Sequence, residues 1–274
     1  MTIRRAGDGI RVALVTGACS GIGLEMARIL AQHGYSLVLV SNRAAELAAA
    51  AGAIEREFGA ACAAIVLDLA RPEAAEALVA EVDARGLEVD VLINNAGFFF
   101  FGEAVDAEPA RAQAMLQLHV VTPSLLCTLL GRRMRARGRG YVMLVSSISA
   151  WRPFPGIGYY GSSKSYLRSF AAALRSELWP YGVRVTCLAP GATATGLYDP
   201  SVVPVDAAKR LGVMMGAHAV ARAGLAALFR GDAVCMPGIV TQAMTLAAVL
   251  TPQPVIDFVR RRAPWLPRPD KNKK

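Results

Sequence analysis

Tyr160 and Lys164 stand four residues apart in YYGSSKSYLRSFAAALRSEL, a stretch that reads as a helix, so their side chains share one face. An ammonium beside a phenol favours the phenolate and draws the phenol's pKa from about 10 toward working pH, making it a usable general acid. Ser147 ends the apolar run YVMLVSS and offers a hydroxyl to a substrate oxygen. Far upstream, Gly17-x-x-x-Gly21-x-Gly23 follows the apolar run RVALVT. Gly17 allows a tight reversal. Gly21 and Gly23 remove side chains where backbone must approach a pyrophosphate and where the next helix must pack against the sheet. Ile22 to His33 reads as that helix, with Ile22, Met26, Ile29 and Leu30 as its apolar stripe and an N-terminus that points amides and positive dipole at a phosphate. Taken singly, each feature has a plainer reading: a glycine-rich turn need not hold a cofactor, and Tyr-x-x-x-Lys also occurs on solvated helix faces. Together they describe a chain that holds a dinucleotide with one half and donates a proton with the other.

The elements needed to position these groups are legible as alternation. Apolar runs at 11–16, 36–41, 62–67, 89–93, 140–146 and 183–189 are separated by longer Ala/Leu-rich helical stretches, the βαβ pattern of a parallel sheet, and a seventh strand is expected near 233–236. The fold class is α/β: a single doubly wound parallel sheet of Rossmann type, about seven strands with helices on both faces. A length of 274 residues suits one such domain over 1–274, with no low-complexity linker and no repeat at solenoid period.

The chain resembles the short-chain dehydrogenase/reductase family, single-domain type. The matching stretches are Thr16-Gly-Ala-Cys-Ser-Gly-Ile-Gly23, Asn94-Asn-Ala-Gly97, Ser146-Ser147 with Ser147 thirteen residues before Tyr160, Tyr160-Gly-Ser-Ser-Lys164, and Pro190-Gly191 followed by Thr193 and Thr195. The resemblance implies Ser147, Tyr160 and Lys164 as catalytic residues. It implies a cofactor set of Gly17, Cys19, Ser20, Gly21, Ile22 and Gly23 on the loop, Asn42 and Arg43 after the second strand, Asp68 and Leu69 after the third, and Asn95, Ala96 and Gly97 after the fourth. Tyr160, Lys164, Pro190, Gly191, Thr193 and Thr195 complete it. NAD-preferring relatives carry an acidic residue after the second strand, where this chain has Ser41-Asn42-Arg43. Arg43 can pair with a 2′-phosphate that no carboxylate repels, so NADP(H) is favoured, with NAD(H) as the alternative; in the plainer reading Arg43 starts a solvated helix. Asp68 matches an adenine-contacting aspartate or, more plainly, caps the helix beginning near Pro72.

Two departures stand out. Where relatives place an asparagine whose backbone holds a water leading to the active lysine, this chain has His119, which either joins the catalytic set by holding water and shuttling protons near neutral pH or is a satisfied core residue. Four phenylalanines, Phe98 to Phe101, follow Asn-Asn-Ala-Gly where relatives often have another glycine. Their bulk narrows the pocket over an apolar substrate or fills core. Trp151, Phe154, Pro155 and Ile157, with Leu197 and Tyr198 in a lid at about 195–215, add apolar lining without a clustered arginine, which favours a hydrophobic ketone, alcohol, acyl thioester or sterol-like molecule over a small acid.

The implied activity is NADPH-dependent reduction of such a carbonyl, reversible as alcohol oxidation. The alternatives are a nucleotide-sugar epimerase or dehydratase relative, disfavoured by the glycine spacing and the lack of a longer C-terminal domain, and a non-catalytic NADPH sensor or scaffold. Five scattered cysteines without a C-x-x-C spacing read as buried thiols of a reducing compartment, not as a metal site or disulfide framework, and the charged N-terminus carries no secretion signal, so the expected location is cytoplasmic. No run reaches the roughly 18 to 20 apolar residues of a membrane span. The net charge is +9, of which +6 lies in a basic tail over 260–274, expected to be a flexible solubilising terminus or a contact with anionic lipid; no nucleic-acid signature accompanies it. The resemblance also implies a homodimer or homotetramer built through helices at about 106–130 and 158–179.

Overall fold

All five side chains of β1, Val12–Thr16, are buried, because a central parallel strand is covered by helices on both faces. The structure is a computed structural model that describes residues 11–152, 154–195 and 214–262. β2 (Ser36–Ser41), β4 (Val89–Asn94), β5 (Gly140–Val145) and β6 (Val183–Leu188) are nearly as buried, whereas the edge strand β3 (Cys62–Val66) exposes Ala64 and Val66. A two-residue strand, β9 (Val234–Cys235), forms the opposite edge. The order is β3-β2-β1-β4-β5-β6-β9, parallel throughout, with a separate parallel pair formed by β7 (Ala192–Ala194) and β8 (Met214–Gly216). The order reverses between β1 and β4, so a crevice opens at the carboxyl ends of these two strands. Both the glycine turn and Asn94–Gly97 emerge there.

Alternate strand residues feed two layers. Ala13, Val15, Leu37 and Leu39 pack with Met26 and Leu30 of α1 (Gly21–Gln32), Leu47 and Ile54 of α2 (Ala44–Phe58), and Leu225 and Leu228 of α7 (Ala217–Arg230). Leu14, Val38, Val40 and Val142 pack with Leu78 of α3 (Ala74–Ala84), Leu126 and Leu130 of α5 (Thr122–Arg137), and Leu167 and Leu174 of α6 (Gly158–Leu178). Two helices, α8 (Ile239–Leu250) and α9 (Gln253–Arg262), follow β9.

The long helix predicted over 106–130 is divided. α4 (Pro109–Leu116) passes through one π turn, Gln117–Val121, before α5. Pro123 accounts for the break: it has no N–H to give the carbonyl of His119 four residues earlier, so the backbone shifts register there. Joined in this way, Pro109–Arg137 is long and apolar enough by composition to cross a bilayer, a length the unbroken apolar runs do not reveal. Its inner face buries Leu126, Leu130 and Met134. Of the expected lid only Thr195 and residues 214–215, and of the basic tail only Arg260–Arg262, fall within the described residues; Leu197 and Tyr198 lie outside them.

Candidate active site

Thr16 ends β1 and ties it to β4. Its Oγ1 accepts the N–H groups of Asn95 (2.9 Å) and Ala96 (3.0 Å), while Asn95 Nδ2 donates back to the carbonyls of Thr16 (2.9 Å) and Gly17 (3.3 Å). The glycine turn is held close against this brace. A Cβ on Gly23 would lie 2.4 Å from the Gly17 carbonyl oxygen, and Gly17 has φ +65°, so neither position accepts a side chain. α1 then begins at Gly21 with no side-chain cap from Ser20. Its first-turn amides therefore stay available for an anion at the mouth of the crevice.

The Ser20 hydroxyl is engaged elsewhere. Arg43 Nη2 donates to Ser20 Oγ (2.6 Å) and to Cys19 Sγ (2.9 Å), and Nη1 lies 3.6 Å from Glu46. Arg43 is thus the residue preceding α2 and also a cation folded over the glycine loop. Asp68 Oδ1 accepts the N–H of Ala70 at 3.0 Å, which stabilises a turn, while α3 begins later, at Ala74.

The reacting groups converge from three elements. Ser147 follows β5 in extended backbone, and its Oγ accepts the Ser149 N–H at 3.2 Å. Tyr160 lies in the first turn of α6, and Lys164 follows one turn later, with Nζ 5.6 Å from the Tyr160 ring centroid. Lys164 is 5 % exposed, and its Nζ donates to the Val145 carbonyl at 2.9 Å. Burial brings its pKa down from 10.5 to about 8. Ser146 Oγ donates to the Lys164 carbonyl at 2.7 Å and fixes α6 against the end of β5.

His119 sits in the π turn, 1 % exposed, with both ring nitrogens engaged. Nε2 accepts the Phe98 N–H at 3.2 Å, so the ring proton is on Nδ1, which donates to Ser163 Oγ at 3.0 Å; Ser163 in turn donates to the Tyr160 carbonyl at 2.8 Å. Burial, and secondarily the Lys164 charge, push the pKa of His119 well below 6.5. Of the two readings of this histidine, burial and the two engaged nitrogens favour the satisfied core residue over a charge switch near neutral pH. What the geometry provides is a neutral strut between the loop after β4 and the helix carrying Tyr160. Gly97 leaves room for it, since a Cβ there would lie 2.7 Å from Nε2.

The four phenylalanines divide their work. Phe99 packs edge-on against the Tyr160 ring at 5.1 Å, and Phe98 lies 5.9 Å from His119. Phe100 faces Tyr159 at 6.3 Å under the Arg111 guanidinium, while Phe101 covers Gly156 and stays 46 % exposed. A bridge between Gly102 and Ile157 closes this loop onto the segment before α6. The run is therefore partly packing and partly an apolar roof beside Tyr160.

One cavity of about 460 Å³ is lined by every catalytic and cofactor residue the sequence singled out except Gly23, whose place is beneath the turn; Trp151, Phe154, Pro155 and Ile157, expected as apolar lining, are not on its wall. Ser41, Leu67, Phe98, Leu118, Val145 and Ser146 also line it. Each is a chain neighbour of a recognised motif residue, and Val145 and Phe98 act through backbone groups, which leave no side-chain signal. A second cleft of about 570 Å³, between 86–89 and 133–137, opens at the amino ends of the strands, remote from these groups.

Residues 11–202 match the family described as short chain dehydrogenase. Among curated proteins, dehydrogenase/reductase SDR family member 4 of Sus scrofa is 35 % identical over 204 residues, covering 71 % of this chain and 72 % of that one. Among solved structures, a short-chain dehydrogenase from Sphingobium yanoikuyae in complex with NADPH aligns with a TM-score of 0.77 at 27 % identity, over 92 % of this chain and 94 % of the other. The bulky-bulky ketone specific alcohol dehydrogenase from Comamonas testosteroni aligns with a TM-score of 0.73 at 25 % identity, over 90 % and 96 %.

Proposed function

The chain belongs to the short-chain dehydrogenase/reductase family of NAD(P)-dependent oxidoreductases, and from that premise we propose that it uses NADPH to reduce the carbonyl of a mostly apolar substrate, reversibly. The observation that carries this reading is the convergence of Ser147, Tyr160 and Lys164 on the same cavity as the glycine turn and Arg43. The turn fits a dinucleotide, because Gly17 and Gly23 keep it free of side chains and the uncapped start of α1 offers amides to a pyrophosphate. Arg43 and Ser20 would hold a 2′-phosphate with a guanidinium and a hydroxyl already in contact. The phosphorylated cofactor named for the Sphingobium structure agrees with this preference.

NADPH, when bound, supplies the hydride. Ser147 Oγ donates a hydrogen bond to the carbonyl oxygen and orients it. Tyr160 Oη gives that oxygen its proton, and the Lys164 ammonium, held one turn away, offsets the negative charge left on the phenol. His119 carries no proton in this scheme. It acts as a positioning residue that sets α6 against the Phe98 loop.

Phe98 on the cavity wall and Phe99 against Tyr160 support a mostly apolar ketone, as does the ketone specificity named for the Comamonas enzyme. Assembly through the helices at about 106–130 and 158–179, which are α4, α5 and α6, is supported by the exposed Tyr166 on α6. A reducing, cytoplasmic setting is supported by five free cysteines, of which Cys127 and Cys187 are buried with pKa values pushed up to about 12 and about 11. The test is a panel of apolar ketones and alcohols with NADPH and NADH, followed at the reduced-nicotinamide absorbance. Turnover of a bulky ketone with NADPH preferred is the expected result; turnover confined to small acids, or none with any ketone, overturns the proposal.

A further inference from the structure

Helix α8 is amphipathic in the reverse sense. The residues it buries are Thr241 and Thr245, with Thr245 Oγ1 donating to the Thr241 carbonyl at 2.8 Å and Thr241 packed so closely on Gly191 that a Cβ there would lie 2.8 Å from its Oγ1. On the opposite side Ile239, Leu246 and Leu250 are 85 %, 60 % and 71 % exposed, flanked by Val240, Met244 and Val249. Helix α9 leaves its axis at 102° and continues the surface with Val255, Phe258 and Val259, exposed at i, i+3 and i+4 spacing. A helix that turns threonines inward and leucines outward is built to meet something other than water.

The chain also states the charge of what it meets. Arg260, Arg261 and Arg262 end α9, and the Arg262 guanidinium lies 4.3 Å over the Phe258 ring, so cation and apolar ring share one patch. From residue 233 onward the sequence has seven Lys and Arg against two acidic residues, Asp257 and Asp270. We infer that α8 and α9 form a docking surface for an anionic bilayer, with the apolar side chains in the headgroup–acyl boundary and Arg261 and Arg262 against lipid phosphates. A second copy of the chain is the poorer occupant, because it carries the same excess of cations from residue 233 onward and lacks the complementary charge of an anionic surface.

The surface adjoins the reaction cavity. Arg152 Nη2 donates to the Thr251 carbonyl at 2.8 Å, and Arg260 is ion-paired with Glu103, so the helix pair is tied to the segment before α6 and to the loop after β4 that carries Phe98 of the cavity wall. Docking would turn that loop toward lipid. The inference does not depend on which carbonyl is reduced.

Flotation of the full chain with phosphatidylglycerol/phosphatidylcholine vesicles, and with phosphatidylcholine alone, tests it. The expected result is recovery with the anionic vesicles that falls when salt is raised from about 0.05 to about 0.5 M. Leu246→Glu/Leu250→Glu should reduce recovery by roughly tenfold or more, with an unchanged melting temperature because both sites are exposed. Arg261→Glu/Arg262→Glu should remove the preference for anionic lipid. If the wild type fails to float, or floats equally with both vesicle types and at both salts, the inference is overturned. A leucine variant that floats as well as the wild type would overturn it too, and a change of oligomeric state in that variant while the wild type stays off vesicles would reassign the face to self-association.

Discussion

Replacing His119 with leucine tests whether this residue is a neutral strut or a titrating participant. The folded protein holds the imidazole uncharged, its pKa well below 6.5, because it is buried and both nitrogens are occupied. The unfolded chain has no such restraint. Below its ordinary pKa of about 6.5 the unfolded histidine takes up a proton that the folded one refuses, so the stability present above that pH is lost as pH falls. For one group the loss is about 1.4 kcal/mol at pH 5.5 and under about 0.1 kcal/mol at pH 7.5. His119→Leu removes that slope while leaving the Phe98 N–H without its acceptor, a cost of about 1–3 kcal/mol at any pH. Urea unfolding of wild type and variant between these pH values should therefore show the variant less stable near neutrality and the gap narrowing by about 1.4 kcal/mol on acidification. The other two histidines, His33 and His218, are common to both proteins and cancel in the difference. Parallel stability curves would refute the neutral-strut reasoning. So would a wild-type kcat profile with an inflection near pH 6.5 that disappears in His119→Asn, since that would show the ring titrating during turnover.

Tyr160→Phe should lower turnover by about 10²–10⁴-fold while leaving NADPH affinity within a few-fold, and Tyr159→Phe should be mild; equal losses, read by steady-state kinetics and cofactor titration, would mean that the wrong tyrosine has been assigned. Lys164 keeps its charge below about pH 8 and loses it above, so kcat/KM for reduction should fall as pH rises through that value, and a profile flat well beyond it would remove Lys164 from the proposed role. Asn42→Asp with Arg43→Leu should shift the NADPH/NADH ratio of kcat/KM toward NADH by about tenfold to a hundredfold, through loss of one guanidinium–phosphate contact and gain of a repelling carboxylate; an unchanged ratio would place cofactor selection elsewhere.

Periodicity and side-chain chemistry carried much of this protein into plain view. Apolar runs covered on both sides, such as Leu37–Val40, can be read as central strands because burial on two faces demands an unbroken apolar sequence. Gly17, Gly21 and Gly23 announce a turn that tolerates no Cβ, and Tyr160 with Lys164 announces one helical face, since both statements follow from local backbone geometry. The roles that run through the backbone were not legible. The Val145 carbonyl that accepts from Lys164 and the Phe98 N–H that donates to His119 depend on strands and loops brought together from distant stretches of chain.

His119 shows the division most clearly. Its residue type permits a charge switch at neutral pH, and only burial between the Phe98 loop and Ser163 decides that it stays neutral, because desolvation is a property of the packed interior and not of the imidazole. Helix α8 reverses the usual inference in the same way. Its composition announces an apolar helix, but which side faces the protein was settled by Thr241 fitting against Gly191, a contact between residues fifty positions apart that leaves Ile239, Leu246 and Leu250 outside. Local rules determine which elements form and which side chains share a face; the tertiary contacts determine what each face meets, and with that the charge state and exposure on which function depends.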